Sequence, residues 1–218
     1  MDNKGAERFG KIRDLLDRMS ATGEMHRQAY IEVRDLDDVA LFDEVDAIMH
    51  TLQKPEDFSH LSQVLSRLIR NTGEPLGAKL YLQLIKLAPN IHTVTFFLIE
   101  GAKSAKLREC REFVLSVIDD LSIAKGNTLS SALQYLGELG EESDVERIGE
   151  LLIVNCYQIC NPMWAAIALG EIGSPKAIPY LKESIERHYW ERNQISVDTC
   201  SFSQMALEKC GAPRYIPE

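Results

Sequence analysis

No hydrophobic stretch of this 218-residue sequence is long enough to cross a bilayer. The longest unbroken apolar run, Met163 to Leu169, has seven residues, whereas a transmembrane helix needs about 20. Residues 1–20 carry nine charged side chains and no apolar block, so we expect no secretory signal. Together these absences predict a cytoplasmic protein that does not enter a membrane.

The sequence also lacks a surplus of positive charge, with 24 Lys and Arg residues against 33 Asp and Glu residues and a net charge of −9. Nucleic acids and anionic lipids attract basic surfaces, so we expect neither as the main partner. Acidic residues are concentrated in residues 1–60, which hold 14 of them against 8 basic residues. Two interpretations stay open: an acidic surface that attracts a basic partner, and a solvated helical cap.

Motifs for catalysis and metal binding are missing as well. The glycine-rich phosphate-binding loops, the GxSxG elbow of hydrolases and the HExxH zinc motif do not occur. The five cysteines form no CxxC pair. Cys156 and Cys160 would share one helix face, but no further ligands lie near them in the sequence, so we interpret them as small buried residues. We therefore predict no catalytic residue, no metal and no cofactor.

Apolar residues recur at helical spacing along most of the chain. Between Val39 and Leu52 they follow one another at intervals of three and four residues, which is typical of a helix with one buried face. Similar stripes begin at Phe58, Leu80 and Phe113. Residues 93–99 are rich in β-branched and aromatic side chains, yet we assign them to a helix because of their length and setting. The pattern predicts an all-α fold.

Part of the sequence repeats itself. Residues 130–152 and 163–185 align at an offset of 33 residues with six identities in 23 positions. Residues 205–218 align with 167–180 at an offset of 38, with six identities in 14 positions. A repeat of this length predicts stacked copies of one supersecondary unit.

The repeated residues suit the joint between two helices. Gly173 can take the left-handed conformation that ends a helix, Ser174 can cap the next helix, and Pro175 fits its first turn. In the earlier copy we expect Gly140 to end the helix and an S-x-x-E capping box at 143–146 to begin the next. The same Gly-x-Pro spacing occurs 100 residues upstream, at residues 73–75. Each unit is therefore predicted to be helix, tight turn, helix.

The stretch from Ala165 to Leu181, AAIALGEIGSPKAIPYL, resembles a HEAT-like repeat of the short kind found in phycobilin lyases and in bacterial scaffold proteins. Residues 136–140 and 205–213 resemble it less closely. The resemblance implies an α-solenoid of stacked antiparallel helix pairs with a right-handed superhelix. It also implies that the protein binds other macromolecules, which is the usual role of such solenoids.

On this basis we expect residues 1–218 to form a single α-helical repeat domain. Residues 1–60 would be an acidic N-terminal cap, residues 61–126 degenerate helical repeats, and residues 127–218 clear HEAT-like repeats. HEAT-like enzymes that resemble deoxyhypusine hydroxylase bind iron through His-Glu dipeptides, which none of the five histidines here forms. HEAT-like enzymes that remove alkylated DNA bases need a basic groove, which the net charge disfavours.

A binding surface can be predicted from the repeat register, because the second helices of successive pairs line one surface. The residues that lie off the apolar stripe there include two arginines and two aromatic residues, types that dominate interface energetics. The predicted partner-binding patch consists of Arg147, Tyr180, Arg187 and Trp190.

The main functional hypothesis is a non-enzymatic scaffold or adaptor that binds a protein partner, with a basic protein suiting its charge. One alternative is a phycobilin-lyase-like protein that attaches a chromophore, and another is an immunity protein that neutralises a bacterial toxin. We further expect the C-terminal end to be covered either by self-association or by a docked partner, because Leu207, Cys210 and Ile216 would lack a covering helix.

Overall fold

The computed structural model describes residues 10–120, 122–153, 162–191 and 193–217. Within these ranges the chain forms twelve α-helices and three short 3-10 helices, and no strand. The prediction of an all-α fold of packed helix pairs is confirmed. The helices are α1 Lys11–Met19, α2 Glu24–Arg34, α3 Leu41–Met49, α4 Pro55–Thr72, α5 Pro75–Leu87, α6 His92–Ser104, α7 Arg111–Asp119, α8 Gly126–Leu139, α9 Val145–Ile153, α10 Met163–Ile172, α11 Ile178–His188 and α12 Gln194–Lys209.

The chain divides into two compact units, residues 1–110 and residues 111–218. In the first unit, α1, α3 and α5 pack in succession as one layer, and α2, α4 and α6 pack in succession as another. In the second unit, α8, α10 and α12 form one layer, while α9 packs against α11 in the other. Each unit is therefore a stack in which a helix meets its counterpart two elements away.

Apolar stripes predicted from the sequence form the core of each unit. Along α3 the side chains of Leu41, Phe42 and Val45 are buried. Residues 93–99 lie in α6, as predicted. Their buried residues come in pairs, at 94–95 and 98–99, and this spacing of four residues is that of a helix rather than a strand. No helix among the described residues is long and apolar enough to span a membrane.

The turns at Gly73 and Gly173 confirm the predicted helix, tight turn, helix arrangement. Gly73 and Gly173 both end a helix in the left-handed conformation, with φ of 66° and 69°. Pro75 begins α5, and Pro175 begins the 3-10 turn that leads into α11. The Ser174 hydroxyl accepts a hydrogen bond from the backbone N–H of residue 176 at 3.2 Å, which is the predicted cap. The upstream Gly-x-Pro echo is thus the same structural joint.

The joint between α8 and α9 differs from the prediction. Gly140 ends α8 with extended backbone, at φ −74° and ψ −179°. The predicted capping box at 143–146 is wrong, because the box pairs Glu141 with Asp144 instead. The Asp144 carboxylate reaches the Glu141 backbone N–H at 2.9 Å, while the Ser143 hydroxyl accepts a hydrogen bond from Arg111.

Two glycines of the repeated LGE motif permit close helix packing. A Cβ at Gly137 would lie 3.1 Å from the Ala168 Cα, and a Cβ at Gly170 would lie 3.0 Å from the Ala206 Cα. Both distances are shorter than ordinary carbon contacts, so a side chain would push the helices apart. The repeated glycine therefore allows α8, α10 and α12 to stack closely.

Hydrogen bonds between neighbouring repeats occur at similar sequence separations in both units. In the first unit the Ile12 backbone N–H donates to Glu44 across 32 residues, and the Ser62 hydroxyl donates to the Phe97 carbonyl across 35. In the second unit Arg111 donates to Asp144 across 33 residues. The first unit therefore has nearly the same structural period, although its sequence does not show the motif.

The C-terminal segment corrects one premise of the sequence analysis. Leu207 and Cys210 are buried within the chain, whereas Ile216 is 65% exposed. Residues 212–217 follow α12 without forming a helix, and the Tyr215 backbone N–H donates to the Gln204 side chain at 3.0 Å. The expectation that all three apolar residues lack a cover holds only for Ile216.

Candidate functional site

The predicted patch lies on the second layer of residues 111–218. Arg147 is in α9, Tyr180 and Arg187 are in α11, and Trp190 follows the end of α11. Arg147 and Tyr180 occupy equivalent positions 33 residues apart, as the alignment of the repeats requires. Val154, the counterpart of Arg187, lies outside the described residues.

Tyr180 packs across the gap between α9 and α11. Its ring covers Gly149, where an added Cβ would lie only 2.4 Å from the Tyr180 Cγ. The side chain is half-buried, so one face supports the stack and the other faces outward. A tyrosine held in this way presents rigid surface to a partner at little further entropic cost.

Both arginines of the patch are already paired. Arg187 donates to the Glu183 carboxylate and to the Ile153 carbonyl, each at 2.6 Å, which ties α11 to the end of α9. Arg147 forms an ion pair with Asp119 of α7. Their positive charges are therefore compensated locally, and they contribute planar surface rather than a free charge.

Trp190 is the most exposed large apolar side chain among the described residues, at 71%. Its ring lies edge-to-face against Tyr189, with ring centroids 4.9 Å apart. Apolar surface of this size costs free energy in water, so it marks a place where another molecule can be bound.

A cavity of about 460 Å³ lies beside Tyr189, between the end of α11, one face of α12 and the C-terminal segment. Its rim carries exposed apolar side chains together with two carboxylates and one guanidinium. We use the name end face for these exposed apolar rim residues together with Trp190, which packs against one of them. The end face consists of Tyr189, Trp190, Val197, Met205 and Ile216. The charged rim residues are Glu191, Glu208 and Arg214.

Sequence reasoning found Trp190 and predicted that Ile216 is uncovered, but it missed the other three residues of the end face. A signal was present, because Val197, Ser201 and Met205 follow one another at intervals of four residues and so share one face of α12. The buried face of the same helix includes Thr199, Ser203 and other small polar residues. Hydrophobicity alone therefore does not separate the buried side of α12 from its exposed side.

The cysteine that lines this cavity is not activated as a nucleophile. Burial raises the pKa of the Cys200 thiol, and only the nearby Arg214 opposes the shift. A thiol with a raised pKa stays protonated near neutral pH and is a weak nucleophile. His188 is buried, with its Nδ1 atom 3.5 Å from the Glu191 carboxylate.

A second concave surface of about 420 Å³ lies in residues 1–110, on the layer formed by α2, α4 and α6. Two positions of each of these helices line it, and equivalent positions on successive helices are 33 residues apart in the sequence. We call it the periodic groove, and its register residues are Tyr30, Gln63 and Phe96 at one position and Arg34, Arg67 and Glu100 at the other. Sequence reasoning missed this groove, because among these positions only Arg34 and Arg67 carry the same residue type on successive helices.

Among the described residues there is no cluster of three or more His, Cys, Asp or Glu side chains that could hold a metal ion. Cys156 and Cys160, the pair considered in the sequence analysis, lie outside the described ranges. Cys110 is buried, and burial raises the pKa of its thiol to about 12.

These features define a class of protein built from stacked helix pairs. A family model, the PBS lyase HEAT-like repeat, matches residues 163–187. The match covers α10, the 3-10 turn and nearly all of α11, which is one complete helix pair. The resemblance to a HEAT-like repeat is thereby confirmed. No curated protein and no solved structure matches the chain.

Proposed function

We propose that this protein is a non-enzymatic HEAT-like repeat scaffold that binds a protein partner in the cytoplasm through residues 111–218. The observation that carries the proposal is the end face: Met205 and Ile216, which line the cavity, are 53% and 65% exposed, and Trp190, which packs against the cavity residue Tyr189, is 71% exposed. Apolar and aromatic side chains gathered at a concave site are typical of interface cores.

The predicted patch extends this surface along α11. Tyr180 and Arg187 are braced by contacts with α9, so they need little reorganisation on binding. Preorganised side chains lose less conformational entropy when a partner docks. We therefore include Arg147, Tyr180, Arg187 and Trp190 in the proposed interface.

Charge supports a basic partner for this surface. Residues 111–218 contain 16 Asp and Glu residues and 9 Lys and Arg residues, a net charge of −7. The arginines at positions 147 and 187 are compensated by carboxylates, which leaves the acidic surplus to act on the partner. Electrostatic attraction of this kind raises the association rate and weakens as salt is added.

The test is a quantitative affinity purification with the full chain as bait. We expect Trp190→Ala to reduce recovery of the specific partner, and the double variant Tyr180→Ala/Arg187→Ala to reduce it further. Met25→Ala removes a comparably exposed apolar side chain from α2 and should leave recovery unchanged. Equal recovery of every partner by all these variants would discard the interface.

A second candidate function is attachment of a bilin chromophore, as in phycobilin lyases, and the family match at residues 163–187 favours it. A cavity of about 460 Å³ lies within the usual size range of small-molecule sites. Mixing the protein with free bilin distinguishes the two functions, because a lyase-like protein should shift the pigment's visible spectrum.

Self-association through the end face is distinguished by sedimentation equilibrium, since Trp190→Ala should then convert the oligomer to monomer.

A further inference from the structure

Positive charge is concentrated in one segment of this acidic protein. Residues 61–110 hold seven Lys and Arg residues against three Asp and Glu residues, a net charge of +4. Residues 1–60 carry −6 and residues 111–218 carry −7. The segment supplies most of α4 and all of α5 and α6, and therefore two of the three helices that line the periodic groove.

Within the groove, one cation forms no ion pair with the part of the chain that the structure describes. Arg34 pairs with Asp35 at 3.1 Å, and Glu100 pairs with Lys103 at 2.8 Å. Arg67, half-buried between them in register, makes no ion pair or hydrogen bond with any residue in the described ranges. Its guanidinium is free to bind a carboxylate in a bidentate manner.

Aromatic side chains flank this arginine. Phe96 and Phe97 lie edge-to-face with ring centroids 5.2 Å apart, and Tyr30 closes the opposite side of the groove. All three rings are half-buried, so part of each remains available for contact. The groove therefore offers apolar surface immediately beside an uncompensated positive charge.

The floor of the groove is fixed before any partner arrives. The Ser62 hydroxyl donates to the Phe97 carbonyl at 3.2 Å, which links α4 to α6. The buried Tyr81 hydroxyl donates to the Leu98 carbonyl at 2.8 Å, which links α5 to α6. A preformed site loses little entropy on binding.

We propose that the periodic groove binds an acidic segment of a protein partner, with a carboxylate against Arg67 and a neighbouring apolar side chain against Phe96. This surface is separate from the end face and has the opposite charge preference, so the proposal goes beyond the scaffold function assigned to residues 111–218. We infer an acidic partner segment because residues 61–110 carry a net charge of +4 and because Arg67 forms no ion pair with the described residues.

The experiment uses the full chain as bait for a phage library of random dodecapeptides, with counter-selection on the Arg67→Glu variant. We expect the enriched peptides to combine Asp or Glu with an aromatic or aliphatic residue. When resynthesised and measured by fluorescence anisotropy, they should bind at least about tenfold more weakly to Arg67→Glu, and also more weakly to Phe96→Ala. Their affinity should fall as salt is raised.

Arg70→Glu is the matched control, because Arg70 lies one turn further along α4, is exposed and does not line the groove. It makes the same change of charge and should leave peptide affinity within about twofold. Circular dichroism and the thermal midpoint confirm that each variant is folded.

Four results would overturn the proposal. They are enrichment of basic peptides, equal binding of the peptides to Arg67→Glu and to wild type, an equal loss of affinity in Arg70→Glu, and no enrichment at all. Loss of self-association in Arg67→Glu, seen by sedimentation, would instead assign the groove to a second copy. Binding of a 20-nucleotide single strand, lost in Arg67→Glu, would assign it to nucleic acid. Either of these two assignments also overturns the proposal.

Discussion

Residues 1–110 and residues 111–218 have nearly the same structural period but differ in how openly the sequence shows it. In both units hydrogen bonds join residues 32 to 35 positions apart. The second unit contains the matched repeat at 163–187. In the first unit, the visible trace of the motif is the Gly-x-Pro joint at residues 73–75. Stacking thus requires buried stripes and short joints, and it tolerates loss of the motif.

The two units also differ in the surfaces that they expose. The end face of the second unit is apolar with an acidic rim, whereas the groove of the first unit combines aromatic rings with arginine. Because each unit is built from the same kind of helix layer, the difference arises from residues that point out of the stack. Such residues are under no packing constraint and can diverge freely.

The largest effect is expected from breaking the ion pair that joins successive repeats in the second unit. The Asp144 carboxylate is 1% exposed, and the Arg111 Nε atom donates to it at 3.0 Å. Arg111→Ala would leave a buried carboxylate without its counter-charge, so we expect a loss of about 3 kcal/mol in the free energy of unfolding. Urea unfolding followed by circular dichroism measures it.

Arg147→Ala is the matched control, because its partner Asp119 is about half exposed. The loss should there be below about 1 kcal/mol. If the two units unfold in separate transitions, Arg111→Ala should shift only the one that belongs to residues 111–218. A loss no larger than that of the control would show that the buried ion pair stabilises the fold no more than an exposed one.

A smaller effect tests whether the two units use the same joint. Gly73 and Gly173 both have positive φ, and a Cβ at either position would meet no atom closer than 3.8 Å. Gly73→Ala and Gly173→Ala should therefore each cost about 1 kcal/mol, because the cost is backbone strain alone. Thermal unfolding gives the comparison, and costs that differ severalfold would contradict the equivalence of the joints.

The smallest effect concerns a buried carboxyl in the first unit. Glu44 is 2% exposed, with one oxygen accepting from the Ile12 N–H at 2.8 Å and the other buried without a hydrogen bond among the described residues. Burial raises the pKa of Glu44, and the backbone hydrogen bonds only partly oppose it. The native state therefore holds this proton more tightly than the unfolded chain does.

Stability should then fall as the pH rises from the ordinary carboxyl range toward the raised pKa of Glu44. Glu44→Gln removes that dependence, so the variant should match the wild type near pH 4 and exceed it modestly at pH 7. Denaturation midpoints across this range provide the measurement, with the exposed Asp43→Asn as control. An advantage of Glu44→Gln over the wild type that is larger near pH 4 than at pH 7 would reverse the sign of the argument.

Much of the fold was predictable because it depends on local patterns. The stripe along α3, the helix over residues 93–99 and the joint at Gly173 each follow from spacing and residue type within one or two turns. The capping box failed for a tertiary reason. Glu141 takes the N-cap position predicted for Ser143, and Asp144, which pairs with Arg111 from 33 residues earlier, takes the N3 position predicted for Glu146.

The candidate surfaces were less predictable. Register placed Arg147, Tyr180 and Arg187 on one layer, but it did not reveal that both arginines are paired. Sequence reasoning missed Val197 and Met205 of the end face because the buried side of α12 carries small polar residues, which do not look like a buried face in the sequence. Burial of such a face depends on the neighbouring helix, which composition alone does not specify.

By itself, the sequence determined that this protein is helical, repetitive and acidic, because periodicity, helix joints and net charge are properties of the chain read in order. Only the tertiary structure decided which charges remain unpaired and which apolar side chains stay exposed. Those outcomes depend on residues more than 30 positions apart meeting in the stack, as Arg111 meets Asp144, whereas Arg67 forms no ion pair with any residue that the structure describes.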